Sequence, residues 1–200
     1  MSSVTAPGRP PAGNLGRPLP LADARDAISV RPLLLAALLS TALATGASAA
    51  PSADDPWLAR LVGRFVLTGQ IAGQKTTHDV EAEWVLNHLY VRIHEVSREK
   101  DAQGRPAYEA IVYVTRDTQP GEYAILWLDN TASGAFAPEG TGHAKPRGDS
   151  LPFVFKDARG RVSFMNVFAY DAKARTWSWA MDNIENGVAK PFGRVTLAPR

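Results

Sequence analysis

Polar side chains that share a strand face with large apolar ones are the residues of this chain best placed to do chemistry. Asp129 follows Tyr123, Ile125 and Trp127 at two-residue spacing. Asn166 stands among Val162, Phe164 and Phe168, and Asn183 follows Trp177, Trp179 and Met181. Residues two apart on a strand face the same side. If these faces point inward, one carboxylate and two amides sit in an apolar interior. Leaving such a polar group unpaired costs roughly 1–3 kcal/mol, and an ionised carboxylate more. Each then calls for a partner, water or ligand. The alternative is that Asp129 and Asn183 lie at strand ends and meet solvent.

Four histidines, His78, His88, His94 and His143, add potential acid–base or metal chemistry. His94 and Glu95 are adjacent, so on a strand they point to opposite faces and cannot chelate together. No His-x-His or His-Glu-x-x-His pattern occurs, which argues against a metal site. His94 and His143 are the two taken as candidate ligand contacts. Gly140-Thr141-Gly142 lacks the third glycine and the following helix that cradle a dinucleotide phosphate. No Gly-x-Ser-x-Gly elbow exists. No cofactor is expected.

Five tryptophans (57, 84, 127, 177, 179) and seven phenylalanines are interleaved with the strands. Trp84, Trp127 and Trp179 are candidate walls of a pocket for an apolar ligand. Side chains also fill narrow barrels, so the same residues can be plain core.

The elements that position these residues are almost all strands. One helix is expected from Trp57 to Val62, with apolar residues at 57, 58, 61 and 62. Asp54 or Asp55 can cap it, Pro56 suits its first turn and Gly63 ends it. Strands follow over 64–68, 77–86, 89–97, 108–115, 123–129, 140–145, 151–156, 161–170, 176–183 and 192–197. The clearest alternation sets His78, Val80, Ala82, Trp84 and Leu86 against Asp79, Glu81 and Glu83. Asn186-Gly187 is the strongest hairpin cue. Ten short strands with tight turns predict an all-β fold. An antiparallel up-and-down barrel of about ten strands is expected, because closure removes exposed edges. The short N-terminal helix would cap one end.

Before the barrel, Arg31-Pro32, the twelve-residue run Leu33–Ala44 and Ala47-Ser48-Ala49 read as a secretory signal peptide over residues 30–49. The run is shorter than the roughly 20 apolar residues that span a bilayer. An exported protein, periplasmic or secreted, with no stable membrane insertion after cleavage, is the expectation. Residues 1–29, rich in proline, read as a disordered or misassigned extension. Residues 50–56 read as a linker and 57–198 as the barrel domain. Of the 22 Lys and Arg and 20 Asp and Glu, four basic and two acidic residues precede the cleavage point. Eighteen of each remain, so the mature chain is formally neutral and shows no basic stripe for nucleic acid. The absence of cysteine removes disulfides and thiol chemistry.

The order Leu61-Val62-Gly63-Arg64-Phe65, Trp84-Val85-Leu86-Asn87, Trp127-Leu128-Asp129 and Phe192-Gly193-Arg194-Val195 resembles a bacterial family of uncharacterised exported proteins. Arg92-Ile93-His94-Glu95 and Gly142-His143-Ala144-Lys145 are similar to it too. Its members have calycin-like barrels related in shape to lipocalins and fatty-acid-binding proteins. The family opening reads roughly Leu-Val-Gly-Thr-Trp; here Arg64 and Phe65 replace the last two. The resemblance covers about Trp57 to Leu197 and carries no activity with it. It does imply that Arg194 packs over Phe65 or Trp57, a cation–π contact worth about 0.5–2 kcal/mol.

Three functional expectations follow. The first is an exported binding module for a small, largely apolar molecule, oriented by Asp129, Asn166, Asn183 and His94 or His143. The second is an enzyme on the same barrel, using a histidine and a carboxylate as acid and base. The third is a filled barrel acting through its surface. A cavity far below about 300 Å³ would favour the third, and an acid–base pair within about 3.2 Å in a pocket would favour the second. Oligomeric state is left open.

Overall fold

The structure is a computed structural model that describes residues 55–200 apart from 133 and 135. The segments expected to be a signal peptide (30–49) and the extension before it (1–29) lie outside the described residues, as does the expected linker up to residue 54. The described chain runs through helix α1 (Pro56–Leu61) and strands β1 (Gly63–Ile71), β2 (Gln74–Val85), β3 (Tyr90–Ser97), β4 (Glu109–Arg116) and β5 (Tyr123–Asp129). A 3-10 turn (Pro138–Gly140) follows. Then come β6 (Thr141–Ala144), β7 (Ser150–Lys156), β8 (Val162–Asp171), β9 (Thr176–Glu185) and β10 (Val188–Pro199). Each strand pairs antiparallel with the next, and β10 pairs with β1. The result is a closed, up-and-down, ten-stranded barrel, as the spacing of strands and turns predicts.

Period-two alternation decides what fills it. Phe65 and Leu67, Val80 and Ala82, Val91 and Ile93, Val112 and Val114, Phe153 and Phe155, and Val195 and Leu197 are buried on the inward face. Outward positions between them carry ion pairs such as Arg64–Glu81 (3.1 Å) and the exposed Arg92–Glu83 pair. Turn chemistry matches local conformation. Asn186 and Gly187 both take positive φ, +52° and +77°, the arrangement a tight hairpin needs. Gly142 answers a close approach instead: a Cβ there would lie 2.9 Å from Ile125 and from Phe155.

One end of the barrel is closed by α1. Asp55, counted with the linker from sequence, belongs to the domain: it is 1% exposed and caps the helix. Its Oδ1 accepts from the backbone N–H of Trp57 (3.0 Å) and Leu58 (3.1 Å), satisfying donors that a helix start leaves open. Its Oδ2 accepts from Arg116 Nε at 2.6 Å, and the Tyr123 hydroxyl donates to both oxygens. Burial, with the Asp55 carboxylate beside it, pushes the Tyr123 phenol well above its ordinary range. Leu58 and Leu61 bury into the barrel. Trp177 fills the space below, 4.9 Å from the Tyr170 ring and 6.2 Å from Trp57 between ring centroids. Its indole N–H donates to the carbonyl of Arg60 at 3.1 Å.

Arg194 departs from the expectation that it stacks on Phe65 or Trp57. Val195 and Leu197 face inward, so Arg194 faces outward by the same alternation. It donates to the carbonyls of Met181 (2.6 Å) and Gly193 (2.7 Å) and to Asp182 (2.5 Å). The cation over Trp57 is Arg60, 5.7 Å from that ring and 5.1 Å from Tyr170.

Candidate functional site

The opposite end, where the β1–β2, β3–β4, β5–β6, β7–β8 and β9–β10 connections gather, holds a cavity of about 880 Å³. That is well above the volume a barrel filled by its own side chains would leave, and it lies within the range of small-molecule sites. Its walls are mainly aromatic and apolar: Tyr108, Trp127, Phe155, Phe164, Trp179 and Phe192. Stacking makes the floor firm. Phe168 and Trp179 are direct cross-strand partners on β8 and β9. Their rings lie 4.4 Å apart at 10°. Trp127 meets Trp179 edge-on from across the barrel at 5.9 Å.

A line of polar groups descends one wall. On β2 and β3 the register sets His78 opposite Ser97 and Val80 opposite Glu95. His78 and Glu95 are therefore diagonal neighbours on the inward face, within reach of long side chains. Both are buried, 2% and 1% exposed, and His78 Nδ1 bonds to Glu95 Oε1. On its other side His78 Nε2 lies 2.6 Å from Thr76 Oγ1, and Thr76 donates to Glu99 Oε2 at 3.0 Å. Thr76 shares the inward parity of His78 at the barrel mouth, so the chain of hydrogen bonds runs from the interior to exposed Glu99. Burial alone would raise the Glu99 carboxyl, but its backbone hydrogen bonds and the Thr76 hydroxyl outweigh this and hold it below its ordinary value. Tyr108 stacks on His78 at 5.5 Å, and its hydroxyl accepts the Trp127 indole N–H at 2.8 Å. Burial first, and the Glu95 carboxylate second, push the Tyr108 phenol far above its ordinary range, so it keeps its proton.

Three residues that line this cavity each hold a buried polar atom with no hydrogen-bond partner among the described residues: Glu95 Oε2, Asn166 Oδ1 and Trp179 Nε1. Each belongs to a residue at most 2% exposed. Buried polar groups are ordinarily satisfied, so three on one cavity mark a place where a bound molecule or water completes the bonding.

Of the residues singled out from sequence, Trp127, Asp129, Asn166 and Trp179 line this cavity. Asp129 sits at its rim, where Oδ1 caps the following turn through Thr131 N (2.8 Å) and Ala132 N (3.1 Å). The other four stand elsewhere. His94 faces outward, opposite in parity to Ile93 and Glu95, and bonds Glu109 at 2.8 Å. His143 faces outward on β6 and bonds Asp117 at 2.5 Å. Asn183 is exposed near the end of β9, the strand-end alternative. Trp84 lies at the other end of β2, edge-on to His88 at 5.7 Å, and does not line the cavity.

His78 and Glu95 were not singled out, although their parity is plain in the sequence. Glu95 follows Val91 and Ile93 at two-residue spacing, and His78 precedes Val80 and Ala82. Among the described residues, no group of three His, Asp or Glu side chains comes together to hold a metal ion. The chain matches no family model and no curated protein.

Proposed function

We propose that this protein is an exported binding module that holds a small, largely apolar molecule in the open end of its barrel. The observation that carries this reading is the 880 Å³ aromatic cavity, three of whose lining residues hold a buried polar atom without a partner among the described residues. Apolar walls supply most of the binding free energy through removal of surface from water. A few fixed polar groups supply orientation. Export rests on the signal-like segment over residues 30–49 and on a cysteine-free domain. The lipocalin-like shape of the family resembled by the sequence agrees with a carrier role.

Native mass spectrometry of the protein purified from its own host tests the reading. A bound species of a few hundred daltons is expected, and it should be weakened or lost in an Asn166→Phe variant, whose ring intrudes on the cavity. A species held equally by wild type and Asn166→Phe would place binding elsewhere.

The buried His78–Glu95 pair favours a second reading, acid–base catalysis on a bound molecule. A carboxylate orients the imidazole, and a hydrogen-bond chain leads to solvent, which is the arrangement general acid–base chemistry uses. Deuterium uptake by 2-decanone in D2O, followed by NMR, tests it. Exchange faster than buffer alone and abolished in His78→Asn supports catalysis; binding without exchange rejects it for this substrate class.

A further inference from the structure

We infer that the ligand of this cavity is an organic cation: an apolar molecule carrying a protonated amine. The inference rests on the binding reading above and names the ligand class for that same site. It starts from the atom Glu95 Oε2. The other oxygen of this carboxylate is occupied by His78, whereas Oε2 is buried without a partner among the described residues, on a side chain that lines the cavity. An ionised carboxylate only accepts hydrogen bonds. The atom it lacks is therefore a donor, and a charged donor bonds it about twice as strongly as a neutral one. Asn166 Oδ1 is a second unpartnered acceptor on the same cavity. Strand β8 stands five places round the barrel from β3 in either direction, so Asn166 and Glu95 face each other across the opening.

Charge around the cavity points the same way. Glu95, Glu99, Asp129 and Glu139 border it, against Lys75 and, when protonated, His78. Even with His78 counted as a cation, carboxylates outnumber positive groups four to two. Such a site attracts a cation and repels a carboxylate such as a fatty acid. Indole and phenol rings in the walls add a third contribution, because an ammonium over an aromatic face is attracted by the ring quadrupole, more so as it loses water. Among the described residues that line the cavity, Trp179 carries an unpartnered donor, its Nε1–H. It calls for an acceptor, so the ligand carries an oxygen or an unprotonated nitrogen away from its ammonium group.

Isothermal titration at neutral pH and low salt with decylamine, decanol and decanoate separates the claims, because the three share a chain and differ in head-group charge. Decylamine should bind at least tenfold more tightly than decanol, and decanoate most weakly. Glu95→Gln should erase most of the amine's advantage over the alcohol. Decanol binding with no gain for the amine, or decanoate binding as tightly as decylamine, overturns the inference and leaves the apolar-binding reading intact. Failure of all three to bind overturns both. The wild-type series decides the matter by itself if the Glu95→Gln chain does not fold.

Discussion

Trp177 and Trp179 stand two residues apart on the same inward face of β9, and both are buried. Trp177 belongs to the closed end. Its indole N–H is bonded to Arg60, and its ring is packed against Tyr170, Trp57 and Phe168. Trp179 belongs to the open end, where it lines the cavity. Its ring is stacked on Phe168, yet its buried N–H has no partner among the described residues. The same contrast separates the two buried carboxylates. Asp55 at the closed end has both oxygens bonded, whereas Glu95 at the open end has one bonded and one bare. One end of the barrel is built for stability. The other keeps polar atoms without a partner among the described residues, which costs stability and which the proposed ligand would offset.

The largest effect that would break this comparison lies at the closed end. Trp177→Ala should lower unfolding free energy by about 3–5 kcal/mol, because it leaves a void where no space existed. Urea unfolding measures it, and a loss under about 1 kcal/mol would show that the closed end is not the stable one. Asp55→Ala should cost roughly 2–4 kcal/mol, combining a lost helix cap with an unsatisfied buried Tyr123 hydroxyl. Asn166→Leu at the open end should change stability by less than about 1 kcal/mol, since an apolar side chain of similar size replaces an already unpartnered amide. A loss comparable to that of Asp55→Ala would mean Asn166 is structurally bonded after all.

The smallest effect concerns pH at the outer surface. The hydrogen bond from His143 holds the Asp117 carboxyl below its ordinary value. A carboxyl whose folded value lies below its unfolded value, about 3.9, stabilises the fold above that pH. The contribution fades as pH falls through the lower folded value. Wild type should therefore exceed Asp117→Asn in stability near neutrality, and the gap should shrink below about pH 4. A gap that is constant from pH 7 to pH 3 would contradict the role given to this pair.

How much of this was legible in the sequence follows from period-two alternation. Ten strands, their turns and the Asp55-Pro56 helix start were readable because local patterns specify them: alternation, Asn-Gly, a capping carboxylate. Trp127, Asn166 and Trp179 were readable as inward polar or aromatic positions by parity alone. Two kinds of residue escaped. His94 and His143 drew attention by residue type although their own parity places them outside. Glu95 carries the right parity, but a lone glutamate on a strand over 89–97 gives no local sign that its partner is His78 on the neighbouring strand. What parity cannot supply is depth. Trp84 shares a face with His78, but only the closed barrel, plugged by α1 at one end, puts them at opposite ends.

The matched pair on β9 offers the most direct test. Titration of a neutral apolar fluorophore such as prodan into Trp177→Phe and Trp179→Phe, each compared with wild type, separates the two ends. Both changes remove an indole N–H and keep an aromatic ring. Trp179→Phe should shift prodan affinity severalfold, while Trp177→Phe should leave it unchanged. Equal affinity in all three proteins, or a shift confined to Trp177→Phe, would contradict it.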